Sequence, residues 1–378
     1  MFAVTLTSIA VHKICYASDW SFNTSTNLQL EYNDNKRLEV GPHDTVFGSI
    51  LNVQSELKRQ TETTNYSLTP RYRVDRFKGS EGLNSETAYV DTSLSHTTQK
   101  SVSQLAIGYT RDTPLTSELQ QTEIVLTNKI RNRLSVSPFW SYQLNERNTI
   151  NFGAAHLNVR HEDAALTGLV DYKYTSAFSQ YSVLLSENSK LGLKLYGSRL
   201  DAKQVKYTTD DGGVELSLDS QFTQTDKYSV RFGWHQVTLG SGPDNARIRD
   251  TQEGTLIGVN YENRFERGNL VFNIENTIEP SGVGVLVETR KGSISFKRQL
   301  SETVGNIISV SSSNTKSVAD RGTYNKWESR QLLWRVVIKL NKYWAFDSLY
   351  RFAWQKVSNT RNAAQSNAII FTLSYVDH

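Results

Sequence analysis

The chain has 378 residues and a formal net charge of +4, with acidic and basic side chains interspersed, so no concentrated basic region indicates nucleic-acid binding. Its mean hydropathy is −0.48, and no apolar run reaches the roughly 20 residues of a membrane-spanning helix, which excludes a helical membrane protein. The single cysteine, Cys15, excludes an internal disulfide and a cysteine-based metal cluster. A membrane β-barrel stays compatible, because its alternating strands average to a polar composition.

The first segment has features of an export signal. Residues 2–11 are mostly apolar, and the Cys-Tyr-Ala sequence at 15–17 places small residues at the −3 and −1 positions of a cleavage site. We therefore expect residues 1–17 to be a signal peptide and residues 18–378 to form one barrel domain. The match is imperfect, because no basic residues precede the apolar run and His-Lys at 12–13 interrupts it.

In chain order, alternating apolar and polar residues predict eighteen strands joined by turns and loops, and a count of sixteen is the alternative. The strands are predicted at 22–32, 47–57, 66–74, 88–94, 105–109, 126–144, 150–159, 170–178, 191–195, 214–222, 228–234, 255–261, 270–274, 285–296, 304–310, 332–340, 344–354 and 369–375. The connections alternate between short turns and longer loops, which is the asymmetry between the two sides of a bacterial barrel. Residues 210–213 and 240–252 are both predicted as loops.

The longest regular pattern lies at residues 126–144. Alternate positions there are mainly apolar, whereas the positions between them include Lys129, Arg131 and Arg133. Side chains alternate between the two faces of a strand, so the pattern predicts one long strand with an apolar face and a polar or basic face. A strand of this length, with Trp and Tyr beside a short turn, favours the wall of a transmembrane barrel over a soluble sheet.

The main alternative fold is a soluble all-β protein such as a β-solenoid, a propeller or two sandwiches. Aromatic residues recur at both ends of the apolar columns, as at Trp334, Trp344 and Trp354, and such residues prefer the level of the lipid headgroups. We therefore predict an all-β transmembrane, antiparallel up-and-down β-barrel in a bacterial outer membrane. The apolar column of each strand should face lipid.

Residues 134–148, with the sequence Leu-Ser-Val-Ser-Pro-Phe-Trp-Ser-Tyr-Gln-Leu-Asn-Glu-Arg-Asn, resemble a family of porin-like proteobacterial outer-membrane barrels associated with exopolysaccharide or exosortase loci. Residues 127–133 and 70–77 are similar to that family too. The resemblance implies a pore for polysaccharide export, with a polysaccharide cargo and a periplasmic export-machinery partner. It brings no catalytic residues with it.

No motif indicates catalysis, a cofactor or a metal, because the sequence lacks a glycine-rich phosphate loop, a metal-spaced histidine pair and a nucleophile elbow. We therefore expect neither an enzyme nor a bound cofactor. His156 is interpreted as a strand histidine rather than part of a phospholipase-like Ser/His pair. The Asp-Asp-Gly-Gly sequence at 210–213 is interpreted as a glycine-bearing turn rather than a Ca²⁺ site.

Charged side chains opposite the apolar column are the candidates to line the lumen, because a basic residue facing lipid at mid-membrane costs about 2–4 kcal/mol. These candidates are Arg71, Arg73, Asp75, Arg133, Arg335, Lys339, Asp347 and Arg351. They either solvate a wet wall and pair with one another, or form a net basic surface that favours anionic solutes or acidic glycans. Strand length places Lys129 and Arg131 above the outer membrane surface.

These observations favour an outer-membrane channel that exports a polysaccharide. A general diffusion porin for small polar or anionic solutes is the first alternative. An outer-membrane enzyme or a surface-adhesion scaffold is the alternative of another class. The expected partners are outer-membrane lipid, the polysaccharide and periplasmic export machinery, with no nucleic acid.

Overall fold

The computed structural model describes residues 20–79, 82–113, 129–164, 169–202, 207–241, 248–318, 326–358 and 360–377, and the expected signal peptide lies outside them. Within these residues the chain forms eighteen strands: β1 (Trp20–Asn33), β2 (Val46–Gln60), β3 (Thr64–Lys78), β4 (Ser85–Thr97), β5 (Ser101–Asp112), β6 (Arg131–Gln143), β7 (Asn148–His161), β8 (Tyr172–Ser186), β9 (Ser189–Ala202), β10 (Tyr207–Gln221), β11 (Asp226–Ser241), β12 (Ile248–Phe265), β13 (Gly268–Pro280), β14 (Leu286–Gln299), β15 (Val304–Ser317), β16 (Trp327–Lys339), β17 (Trp344–Val357) and β18 (Ala364–Asp377). No helix in these segments is long and apolar enough to cross a membrane.

The eighteen strands close into one barrel. Each strand pairs antiparallel with its neighbours in sequence, and β1 pairs with β18 from Thr24↔Asp377 to Asn33↔Ala368. Closure leaves no strand edge with unpaired backbone groups, which a lipid environment requires. The prediction of an all-β up-and-down barrel of eighteen strands is confirmed, and the alternative count of sixteen is excluded.

The two ends of the barrel differ in their connections. One end carries turns of two to four residues, such as 187–188 and 144–147, and the other carries the longer loops, such as 34–45 and 281–285. Both the start of β1 and the end of β18 lie at the short-turn end. The predicted asymmetry between turns and loops is therefore present in the structure.

Some predicted loops are wrong because strands continue beyond them. Residues 210–213 lie inside β10, where Asp210 pairs with Thr238 and Gly212 pairs with Gln236. Likewise, β11 reaches Ser241 and β12 starts at Ile248, inside the predicted loop 240–252. Polar residues and glycine predict a turn, yet a strand near the loop end no longer contacts the lipid core and tolerates them.

The outer face of the wall is apolar. Phe232 and Trp334 are 59% and 52% exposed, although both are large and hydrophobic. Close to the short-turn end, the rings of Trp344 and Tyr375 lie 5.0 Å apart between centroids. Exposed apolar columns with an aromatic belt suit a lipid boundary rather than water.

Strand β8 departs from the predicted orientation. Its aromatic column shares a face with the inward side chains of β7, because Tyr174 is opposite Leu157 and Phe178 is opposite Gly153. The expectation that the apolar column of every strand faces lipid is therefore wrong for β8. The inward orientation has a physical reason: Tyr172 is 6% exposed and belongs to a hydrophobic cluster inside the barrel.

This apolar cluster fills part of the lumen at the loop end. Its buried members are Val159, Val170, Tyr172, Leu200, Ala202, Val237, Leu286 and Val318. They come from β7, β8, β9, β11 and β14 and from the connections before β8 and after β15, so the cluster joins wall segments that are not neighbours in the sheet. A backbone hydrogen bond from Val170 N–H to the carbonyl of Gly282, at 3.0 Å, ties two loops together beside it.

A carboxylate links β1 to β17 across β18. Glu31 is 1% exposed, its Oε2 lies 2.6 Å from Nζ of Lys36, and its Oε1 accepts a 3.0 Å hydrogen bond from Arg351. The substitution Glu31→Gln should lower the free energy of unfolding by about 2–3 kcal/mol, because two cations lose their shared carboxylate. The measurement is the temperature of the heat-induced mobility shift in detergent gels.

Asp210→Asn is the matched control for this substitution. It removes the exposed pair of Asp210 with Arg199, and such pairs contribute at most about 1 kcal/mol. Equal effects of the two substitutions would show that the buried carboxylate does not hold the barrel closure.

Candidate functional site

Hydroxyl and amide groups cover much of the inward face. On β15 every second residue from Ser309 to Thr315 is a hydroxyl residue and lies on the face opposite Ile308 and Val310. The hydroxyl of Ser309 donates to Ser295 on β14 at 2.8 Å. This stretch of the wall is hydrophilic without carrying charge.

Five of the eight candidate lumen residues fall into ion pairs. Arg73 lies 2.8 Å from Asp75, and Arg335 lies 2.6 Å from Asp347. Arg351 pairs with Glu31, which is not among the predicted lumen residues. Its sequence signal is a glutamate in the alternate column of β1.

The other three candidates lie apart from these pairs. The guanidinium of Arg71 lies over the ring of Tyr89, 4.0 Å from its centroid. Lys339 is exposed at the end of β16, beside the turn at 340–343. Arg133 lines a cavity on the other side of the barrel.

Strand register places all eight candidates on the inward face, opposite the exposed apolar columns. The structure brings them together as close pairs rather than as one basic surface. Their role in lining a conducting path stays a prediction.

Lys36 adds a loop cation to the cluster around Glu31. Its ammonium lies outside the strands, and burial lowers its pKa while the Glu31 carboxylate opposes that effect. Because Glu31 also binds Arg351, this part of the inward face carries charges that are already compensated by close partners.

Lys129 and Arg131 differ from each other in their position. Lys129 precedes β6 and pairs with Asp163 at 2.9 Å in the loop region, as its expected position above the membrane suggests. Arg131 is instead the first residue of β6, is 4% exposed and donates two hydrogen bonds to Asp112, at 3.0 and 2.9 Å. The buried carboxylate of Asp112 holds the Arg131 side chain inside the wall, and the level of Arg131 relative to the membrane surface stays a prediction.

A cavity of about 260 Å³ lies against the inward face of β8 to β13 and is named here the β8–β13 cavity. The side chains that define its chemistry are Tyr174, Phe178, Lys194, Tyr196, Glu215 and Arg231. This site was not predicted, because the pattern assigns the column of Tyr174 and Phe178 to lipid. Charged residues at alternate positions of β9, β10 and β11 are the sequence signal for it.

The charges in the β8–β13 cavity are only loosely paired. Lys194 and Glu215 approach to 3.9 Å, and Arg231 lies 3.7 Å from Glu215 and 3.8 Å from Glu275. These separations exceed hydrogen-bonding distance, in contrast to the 2.6 Å between Arg335 and Asp347. The cavity therefore offers donors and acceptors that a ligand can use.

A second cavity, of about 470 Å³, spans the lumen itself. Arg133 on β6 lines it together with Glu275 and Glu279 on β13 and Lys291 on β14. Strands β6 and β13 are far apart in the order of the sheet, so opposite walls approach each other at this level. Any solute that crosses this level meets charged side chains on both walls.

The two possible chemical motifs do not assemble into sites. His156 bonds the hydroxyl of Thr175 at 2.8 Å on the outer face. Asp210 pairs outward with Arg199, whereas Asp211 lies inward, 3.3 Å from His235. Adjacent strand residues project to opposite faces, so these two carboxylates cannot chelate one ion. Among the described residues, no group of three or more His, Cys, Asp or Glu side chains could hold a metal.

A closed barrel of eighteen strands, apolar outside and hydrophilic inside, defines an integral β-barrel protein of the outer membrane. Barrels of this strand number are wide enough to enclose an aqueous channel. The class is therefore a channel-like outer-membrane protein, as predicted from the sequence.

The fold is similar to solved outer-membrane transporters and porins. The copper transporter OprC is 10% identical over 90% of this chain and 64% of its own, with a TM-score of 0.50. OccAB2 of Acinetobacter baumannii is 10% identical over 95% and 98% of the two chains, with a TM-score of 0.49. A bacterial polysaccharide outer membrane secretin is 8% identical over 94% and 98%, with a TM-score of 0.40.

These similarities concern the fold alone, and the chain spans less than two thirds of the length of the copper transporter. No protein-family model matches the chain, and no curated protein sequence matches it. The association with exopolysaccharide loci that the sequence resemblance implies therefore has no support from these comparisons.

Reversing the charge of Arg133 tests whether ions pass through the second cavity, which spans the lumen. Arg133→Glu would place a third carboxylate near Glu275 and Glu279, so the permeability ratio of cations over anions should rise severalfold. The measurement is the reversal potential of single barrels in a planar bilayer under a KCl gradient. Arg73 is unsuitable for this test, because its reversal would place two carboxylates side by side at Asp75.

Lys173→Glu on the outer face of β8 is the control, because it makes the same charge change on the wrong side of the wall. Its reversal potential should equal that of the native protein. An unchanged potential in Arg133→Glu as well would mean that ions do not pass Arg133.

Proposed function

We propose that this protein is an outer-membrane channel for a polar carbohydrate polymer, which it releases at the cell surface. The observation that carries the proposal is the chemistry of the inward face. Hydroxyl side chains form continuous columns, as on β15, and five of the eight charged candidates are held in ion pairs. Sugar hydroxyls both donate and accept hydrogen bonds, so such a wall exchanges bonds with a moving chain at little net cost.

Charge pairing supports passage rather than capture. A channel must bind its cargo well enough to admit it and weakly enough to release it. Unpaired cations along the whole wall would hold an acidic polymer tightly, whereas the pairs of Arg73 with Asp75 and of Arg335 with Asp347 reduce the field in the lumen. Export further requires a periplasmic partner that delivers the polymer to the short-turn end, and this partner is part of the proposal.

A general diffusion porin for small polar or anionic solutes is the second candidate. Arg71, Arg133 and Lys339 favour it, because in the described part of the chain none of them has a carboxylate within 4.0 Å. Three cations on the inward face would attract small anions.

Both candidates require an open or openable pore. Purified protein in planar bilayers should give stepwise ion conductance, because hydroxyl and charged side chains cover much of the inward face. Heat-denatured protein at the same concentration is the control for leakage. A barrel that inserts but never conducts would remove both transport functions.

Polymer secretion separates the two candidates. Deletion of the gene should reduce surface polysaccharide to a small fraction of the native amount, with undelivered polymer retained in the periplasm. Reintroduction of the native gene should restore secretion. Unchanged polysaccharide in the deletion strain would remove the export function and leave the diffusion porin.

A further inference from the structure

We propose that the β8–β13 cavity is a binding subsite for a neutral pyranose unit of the transported polymer. This inference rests on the proposed function and specifies its cargo. It assigns the stacking surface to Phe178 and Tyr196, and it assigns the polar contacts to Lys194, Glu215 and Arg231.

The aromatic surface is built by glycines on neighbouring strands. Phe178 and Tyr196 are directly opposite each other in the register of β8 and β9. A Cβ on Gly153 would lie 2.3 Å from the ring of Phe178, and a Cβ on Gly213 would lie 2.9 Å from Tyr196. Each ring therefore occupies space above a glycine, so the two rings lie along the wall instead of blocking the lumen.

Such rings suit the apolar face of a sugar. The face of an aromatic ring carries negative electrostatic potential, and the axial C–H groups of a pyranose are weakly positive. Lys194 marks the same surface, since its Nζ lies 5.3 Å from the centroid of Phe178 and 5.6 Å from that of Tyr196. An ammonium group that lies over both rings can also donate to a ligand hydroxyl.

The polar groups beside the rings alternate in sign. Lys194, Glu215, Arg231 and Glu275 follow one another around the wall at separations of 3.7–3.9 Å. A sugar hydroxyl can donate to a carboxylate and accept from a cation at once, and hydrogen bonds to charged groups are the stronger ones. The row therefore matches adjacent hydroxyls of one sugar unit.

The charge balance selects neutral over acidic sugars. The charged side chains lining the cavity are two cations, Lys194 and Arg231, and three carboxylates, Asp211, Glu215 and Glu279. This balance lacks the cationic excess that a uronate would need. The expectation of a basic lumen for acidic glycans therefore does not extend to this cavity.

The apolar cluster closes the loop side of the cavity. Tyr174 and Ile278 line the cavity and also pack against the cluster. A sugar unit in the cavity is thereby shielded on one side from bulk water, which strengthens its polar contacts.

The test is equilibrium binding to the detergent-solubilised, full-length barrel, followed by calorimetry. The probes are neutral hexaoses of glucose, mannose and galactose, with hexagalacturonate as the acidic counterpart. At least one neutral hexaose should bind at least tenfold more tightly than hexagalacturonate. Phe178→Leu should weaken that binding about threefold to tenfold, and Glu215→Gln about tenfold.

Two matched variants keep the test specific. Tyr89→Leu removes an inward ring on β4, and Asp91→Asn neutralises an inward carboxylate on the same strand. Both lie outside the cavity and should leave binding unchanged. The heat-induced mobility shift in detergent gels confirms that each variant is folded.

Binding and conductance distinguish the two proposals. A conducting barrel that binds none of the neutral hexaoses, or binds hexagalacturonate equally well, overturns the subsite and leaves the channel. Neutral sugar binding that Phe178→Leu and Glu215→Gln do not weaken also overturns the subsite. Sugar binding with the expected losses in a barrel that never conducts supports the subsite and overturns the channel.

Discussion

The backbone pairing of β1 with β18 is the constraint on which the rest of the structure depends. Lipid offers no hydrogen bonds to a strand edge, so the wall has to close before its apolar columns can face the membrane. Closure also creates the lumen, because it turns the second column of every strand into an interior surface. Glu31 contributes to closure and to the lumen surface, since it is buried on the inward side of the wall and connects Lys36 and Arg351 across the closing strands.

The interior separates into two chemical regions. On β3, β16 and β17, charges are compensated at 2.6–2.8 Å, as between Arg335 and Asp347. On β9 to β13 the charges lie 3.7–3.9 Å apart and accompany aromatic rings. The first arrangement allows a polar solute to pass, and the second allows it to bind. A channel for a polymer uses both, because the chain must be admitted and then released.

The apolar cluster explains where prediction by alternation failed. Alternation identifies two faces of a strand but assigns them to lipid or lumen only by assuming that the apolar face is outside. In β8 that assumption is wrong, because Tyr172 packs with Leu200 and Leu286 inside the barrel. Alternation also cannot predict which polar side chains are buried. The burial of Arg131 depends on Asp112, nineteen positions away in the sequence.

The sequence by itself determined the barrel and the asymmetry of its ends and favoured eighteen strands over sixteen, because lipid imposes a period of two and a minimum strand length on each segment separately. It also identified the inward charges, such as Arg73 and Asp347. Only the tertiary structure decided which of those charges are neutralised, which way β8 faces and that a cavity lies between β8 and β13. These features depend on which distant strands meet across the lumen, and no local pattern in the chain records those contacts.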